Sequence, residues 1–138
     1  MAAAFAFLDQ LTKYLAGQYL KNPFEIIGSF FKFQYTENTG VAFSIPIPFT
    51  GIIILNVILL VLITYFAVKE MDLSRPVSIL ALSLIYGGAI GNIIDRLAAG
   101  YVVDFISIWK WPSFNPADVY IVLGILLILL FYSRIKKV

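Results

Sequence analysis

Apolar runs set the frame of this chain. Thr50 to Val68 is 19 residues without a charge, long enough to cross a ~30 Å hydrocarbon core at ~1.5 Å per residue. Val77 to Ile94 is a second uncharged run, of 18 residues, and Val119 to Ser133 is a third, flanked by Asp118 and Arg134. The first 20 residues have the length of a span but carry Asp9 and Lys13 near the middle. This pair is spaced i, i+4, so a helix places both on one face, where they can pair. The start is no signal peptide, because charges interrupt its apolar core. The pattern predicts four transmembrane helices over residues 2–20, 50–68, 77–95 and 116–134, in a single integral-membrane domain covering 1–138.

Four spans leave both termini on one side of the membrane. The C-terminal RIKKV and the KEMDLSR loop place that side in the cytoplasm, with Lys69, Arg75, Arg134, Lys136 and Lys137 against Lys21, Lys32, Arg96 and Lys110 opposite. Residues 21–49 and 95–116 then lie on the outer face. In the first of these, FFKFQYT alternates aromatic and polar residues and reads as strand, and NTG follows as a turn. Gly40 is the residue there that tolerates a positive φ. The next stretch, VAFSIPIPF, is apolar and broken by Pro46 and Pro48. The expected fold class is therefore membrane α-helical, with a small β-sheet on the outer face.

Composition sharpens this picture. The chain is 61% hydrophobic and 13% charged, with mean hydropathy +0.92. A soluble domain of 138 residues cannot enclose that much apolar surface. A net charge of +2 without a basic patch gives no reason to expect nucleic acid. The chain has no cysteine and no histidine. That removes disulfides, thiolate zinc sites, cysteine nucleophiles, Ser-His-Asp triads and histidine metal sites. Acid–base chemistry would fall to carboxylates, lysine or tyrosine, and no cofactor or metal is expected.

Four polar groups stand out against this background. FNPAD reads as a helix start, with Asn115 as N-cap, Pro116 at N1 and Asp118 at N3. The helix dipole favours negative charge at such a mouth. Asp104 sits in the apolar VVDFI, where burial favours its neutral form. If the two approach, they share a proton, the condition of an aspartic-protease pair. The alternative is a plain helix cap and a loop charge. In GGAIGNIIDR, Gly87 and Gly91 form a GxxxG suited to close helix packing. Asn92 and Arg96 share a helical face, and Arg96 can either bind substrate carbonyls or pair with Asp95. Asn38 in NTG is either part of a turn or an amide held at the membrane surface. Asp9 with Lys13 is structural glue, a proton relay, or a Ser/Lys-type base.

In this order, LDQLTK, NTGVAFS, GGAIGNIIDR followed by YVVDFI, and FNPAD, the chain resembles the bacterial lipoprotein signal peptidases, the type II signal peptidases. The matching stretches run from Leu8 to Asp118. The resemblance implies an aspartyl endopeptidase with four membrane helices, cytoplasmic termini, a small sheet and a flap on the outer face of the bacterial cytoplasmic membrane. It implies Asp104 and Asp118 as the catalytic pair and Asn38, Asn92, Arg96 and Asn115 as polar residues of the substrate site. Asp9, Lys13, Gly40 and Asp95 match motif positions with structural roles. The implied substrate is a diacylglyceryl-modified prolipoprotein, cut just before its lipid-bearing cysteine while the lipid tail stays in the bilayer. Membrane lipid is the implied surrounding partner, globomycin-type depsipeptides the implied inhibitors, and a monomer the expected state.

Two features depart from the family pattern. Only seven residues precede Leu8, so the first helix is short or the start is trimmed, and Pro116 stands where aliphatic residues are commoner. Proline suits N1. Rival readings are a proton-coupled transporter using Asp9, Lys13, Asp104 and Asp118 as a relay, a structural membrane subunit, and a Ser/Lys protease using Lys13 with Ser44. The transporter expects charges along a path, whereas Asp95, Asp104 and Asp118 gather at one face.

Overall fold

The computed structural model describes residues 1–40 and 49–137. The elements are α1 (Ala2–Tyr19), β1 (Phe24–Ile27), β2 (Phe31–Asn38), α2 (Phe49–Glu70), α3 (Pro76–Ala99), β3 (Val102–Ile108) and α4 (Pro116–Ile135). The VAFSIPIP part of the proline-broken stretch, with Ser44, lies outside the described residues. Among the described residues, three helical stretches are long and apolar enough to cross a membrane: Thr50–Glu70, Pro76–Ala99 and Pro116–Ile135.

α3 is the hub. Pro76 opens it at N1, and Gly100 closes it in the left-handed conformation, φ 83°, its N–H donating to the Arg96 carbonyl at 3.0 Å. Small residues let its neighbours come close. A Cβ at Gly87 would meet Phe5 and the Ala2 carbonyl of α1. One at Gly88 would strike the Ala117 carbonyl of α4, and one at Gly91 the Asp9 carboxylate. Gly124 of α4 lies as tightly against the Ala81 carbonyl. The GxxxG pair thus seats α1, while Gly88 and Gly124 seat α4.

The helices divide by which face they bury. α1 buries Ala6, Asp9, Lys13 and Ala16, a single stripe at helical spacing. α2 exposes most of its aliphatic residues, as a lipid-facing helix does. At the other end of the bundle from the sheet, Met71, Ala81, Ile85, Ile128 and Ile135 form an apolar core. There the chain end clasps the α2–α3 loop: Asp72 N–H donates to the Ile135 carbonyl at 2.6 Å and Lys137 N–H to the Glu70 carbonyl at 2.8 Å.

The sheet is antiparallel in the order β1-β2-β3. β2 contains the alternating aromatic stretch. β1 and β3 are strands that the hydrophobic pattern did not predict. Asn38 pairs with Val102 and Thr36 with Asp104, beyond an irregularity after Phe33. Side chains two apart share a face of a strand, so Asn38 and Asp104 are diagonal neighbours. The positive-φ positions among the described residues are Gly28, Gly100 and Trp109. The Gly40 turn is held by the Gly40 N–H donating to Asn38 Oδ1 at 3.0 Å.

Candidate active site

The local sequence builds the first part of the site. Asn115 caps α4, its Oδ1 accepting from Asp118 N–H at 3.1 Å, while Asp118 Oδ2 accepts from Asn115 N–H at 3.2 Å. This reciprocal box holds the Asp118 carboxylate at the helix mouth. Asn115 Nδ2 is left free of the cap and donates to Asp104 Oδ1 at 2.6 Å and to Asn92 Oδ1 at 3.2 Å. Fully buried Asn115 therefore touches both candidate carboxylates, Asp104 through its side-chain amide and Asp118 through its backbone N–H.

Asp104 reaches this point because Phe114 turns back onto β3. Phe114 N–H donates to the Ile106 carbonyl at 3.0 Å and Ile106 N–H to the Phe114 carbonyl at 2.9 Å. Asn38 Nδ2 donates to Asp104 Oδ2 at 2.8 Å, so each carboxylate oxygen has an amide partner. Burial raises the Asp104 pKa to about 6, and the negative charge of nearby Asp118 pushes the same way. The Asn38 and Asn115 amides oppose the shift by favouring the ionised form.

Asn92 joins the pair to a deeper network. Its Nδ2 donates to Asp118 Oδ1 at 2.9 Å, and its Oδ1 accepts from Lys13 Nζ at 2.9 Å. Lys13 Nζ also meets Asp9 Oδ2 at 2.7 Å and Asp95 Oδ2 at 2.8 Å. Three acceptors match the three donors of an ammonium. Asp9 Oδ1 in turn accepts from Ala117 N–H at 3.0 Å, an unpaired donor of the first turn of α4. The polar stripe of α1 therefore holds the same helix mouth that carries Asp118.

The expected Asp9–Lys13 pair forms, but Asp95 pairs with Lys13 and not with Arg96. Arg96 Nη1 donates to the Asn92 carbonyl at 3.4 Å, while Asp95 Oδ2 also accepts from Val103 N–H at 3.2 Å. Sequence reasoning passed over Gln10. Its Nε2 donates to Asp95 Oδ1 at 2.7 Å and to the Gly91 carbonyl at 3.1 Å, locking α1 to α3. Its place inside LDQLTK was the available signal. Gly40 is buried beside Asn38.

A cavity of about 350 Å³ opens onto Asp104 and Asp118. Asn38, Asn92 and Arg96 supply further polar groups, and Trp111, Phe114 and Ile121 supply apolar wall. Among the described residues no three acidic side chains converge as metal ligands would. The arrangement offers two carboxylates, amide donors and one guanidinium to a ligand that is polar at its centre and apolar at its edge.

The chain is similar to known proteins along most of its length. Residues 1–134 match the family model for signal peptidase (SPase) II. A lipoprotein signal peptidase of Moorella thermoacetica is 39% identical over 123 residues, covering 88% of this chain and 82% of that protein. One of Caldanaerobacter subterraneus is 40% identical over 132 residues, covering 93% and 90%. A bacterial membrane enzyme solved by the in meso method at 2.3 Å resolution superposes with TM-score 0.82 at 33% identity, over 96% of this chain and 85% of that one. A second, at 1.9 Å, gives 0.79 at 34%, over 94% and 87%. The chain, with its carboxylates gathered at one end of a membrane-helix bundle, belongs to the signal peptidase II family.

Proposed function

We propose that this chain is an aspartyl endopeptidase that removes the signal peptide from diacylglyceryl-modified prolipoproteins, cutting before the lipid-bearing cysteine. The observation that carries this reading is the amide-linked approach of Asp104 and Asp118 at one cavity. Two carboxylates so placed share one proton, and burial favours Asp104 as its holder.

The reaction follows from that state. Asp118, ionised, takes a proton from a water molecule that attacks the scissile carbonyl carbon. Asp104 gives its proton to the carbonyl oxygen, so no free oxyanion forms. As the resulting diol collapses, the C–N bond breaks, the amine takes the proton held by Asp118, and the diol returns one to Asp104. Asn38 and Asn115 hold the Asp104 carboxyl through the cycle, and Asn92 holds Asp118. Arg96 and the Asn38 amide are the groups on the cavity wall suited to substrate carbonyls. Asp9, Lys13, Gly40 and Asp95 act on structure.

In this proposal the chain is one membrane domain, and α1 is a fourth span whose charged stripe faces protein. Both termini are cytoplasmic, and the sheet and site lie at the outer boundary. Anchoring by the lipid keeps the scissile bond beside the pair. The enzyme acts as a monomer, and globomycin-type depsipeptides occupy the same cavity.

The deciding experiment is cleavage of a diacylglyceryl-modified prolipoprotein by the purified chain in detergent, with Asp118→Asn alongside. Product from the native chain alone supports the reading. Normal turnover by the variant ends the dyad mechanism. No product from a folded native chain, with an active control peptidase on the same substrate, ends the peptidase reading.

A further inference from the structure

The sheet has a second feature, its tip around Trp109, of which the peptidase reading uses only Trp111 and Phe114 as cavity wall. β3 ends in a turn, Ile108-Trp109-Lys110-Trp111, closed by Trp111 N–H donating to the Ile108 carbonyl at 2.9 Å. Trp109 sits in it at φ 47°, a region in which glycine is at ease and a bulky residue is strained. Its N–H donates to the Phe30 carbonyl at 2.6 Å, which ties the β3 turn to the β1–β2 turn. Both turns therefore end together, at the end of the sheet away from Asp104.

That end is apolar where a water-facing turn would be polar. Trp109 is 69% exposed and Trp111 65%. Ile27 and Phe30 of the neighbouring turn are more than half exposed. Phe30, the two tryptophans, Ile108 and Phe114 border a concavity of about 500 Å³. Lys110 completes the border, its Nζ 5.5 Å from the Trp109 ring centre.

We infer that this paired tip is a lipid-docking surface, inserted at the headgroup level of the outer leaflet of the bilayer that the helices cross. The occupant follows from continuity and chemistry. The exposed aliphatic faces of α2 and α4 already place lipid beside the bundle, and Trp111 of the tip borders one cavity with Ile121 and Val122 of α4. Tryptophan prefers the membrane–water boundary, with an apolar ring and a polar N–H. Lysine there keeps its stem in the apolar layer and its ammonium at the phosphates. Docking at the tip holds the sheet, and Asp104 on β3, at a set height above the hydrocarbon.

Trp109 and Trp111 are the only two tryptophans of the chain, so intrinsic fluorescence reads this turn without a label. The test uses the full chain in phosphatidylcholine vesicles containing lipids brominated at shallow or deep acyl positions, with acrylamide as the aqueous quencher. The expected result is blue-shifted emission, stronger loss of intensity with shallow than with deep bromine, and poor access for acrylamide. Trp109→Phe and Trp111→Phe singly assign the signal to each ring. Full acrylamide quenching without response to brominated lipid overturns the proposal. So does shielding that depends on protein density in the vesicle, which would mark a second copy as the occupant. No substrate is present, so failure here leaves the peptidase reading untouched, and failure of catalysis leaves this one standing.

Discussion

The two ends of the helix bundle are built from opposite materials on one helix. Toward the sheet, α3 contributes Asn92 and Asp95 to a buried network in which the ammonium of Lys13 and four carboxylates all have partners. Toward the chain end, the same helix contributes Ala81 and Ile85 to an apolar core. Both ends use glycine to bring α4 close, Gly88 at one and Gly124 at the other. Only the apolar end tolerates an unanswered polar atom, the Ser78 hydroxyl, which has no hydrogen-bond partner among the described residues. Close packing is thus common to both, and orientation of charge belongs to one. Apolar contacts are non-directional, so the end away from the sheet holds helices together. The sheet end, where the bonds are directional, aims carboxylates.

The largest effect should fall on the pair itself. Asp104→Asn and Asp118→Asn should each lower cleavage by at least about 10³-fold, near the upper range of acid–base contributions, while the purified variant keeps its helical content. Retained activity in either would remove the functional distinction between the two ends.

Next is Lys13→Met. It leaves Asp9 and Asp95 buried without their cation, which should destabilise the fold by about 3–5 kcal/mol. Thermal unfolding in detergent reads this directly, and an unchanged Tm would mean the network does not hold the sheet end.

Two glycines sharpen the contrast at matched chemistry. At Gly124 a Cβ would lie 2.6 Å from the Ala81 carbonyl, so Gly124→Leu should cost about 1–3 kcal/mol of overpacking. Its folded fraction should keep near-native specific activity. Gly88→Leu presses on Ala117, next to Asp118, and should lose activity as well as stability. Equal activity in the two would show that strain spreads along α4 without regard to the site.

A smaller effect concerns pH. With Asp104 raised to about 6 by burial, kcat/KM should fall on the alkaline side as this proton is lost, with an apparent pKa near that value. Asn38 donates to Asp104 and favours its ionised form, so Asn38→Leu should move this limb to higher pH. For stability the folded carboxyl binds its proton more tightly than the unfolded one. Its favourable contribution is therefore full below the unfolded value and is lost as pH rises through about 6. A limb that stays in place in Asn38→Leu would break the assignment. Least of all, Ser78→Ala should lie between neutral and about 1 kcal/mol stabilising, and a marked loss of Tm would reveal a partner for that hydroxyl.

What could be read in advance followed the range of each interaction. The Asn115 cap with Asp118 at N3 involves four consecutive residues and was legible as such. The Asp9–Lys13 pair needed only helical spacing. The strand around FFKFQYT was legible because it alternates, whereas VVDFISI does not: both Val102 and Asp104 on one face and Phe105 on the other are buried. Asp95 was offered Arg96 by proximity in sequence. Its actual cation, Lys13, comes from 82 residues away, since 95 − 13 = 82. Gln10 likewise takes its meaning from contacts to α3.

By itself, then, the sequence determined a membrane protein with long apolar helices, a capped α4 and a set of polar residues too costly to bury without purpose. These follow from composition, periodicity and bonds within one turn of chain. Only the tertiary structure decided that Asn115 bridges Asp104 to Asn92, that Lys13 holds Asp95, and that the Trp109 turn meets Phe30. Directional bonds between distant segments form only after close packing has brought those segments together. The glycines that permit this approach are visible in the sequence, but the neighbours they admit are not.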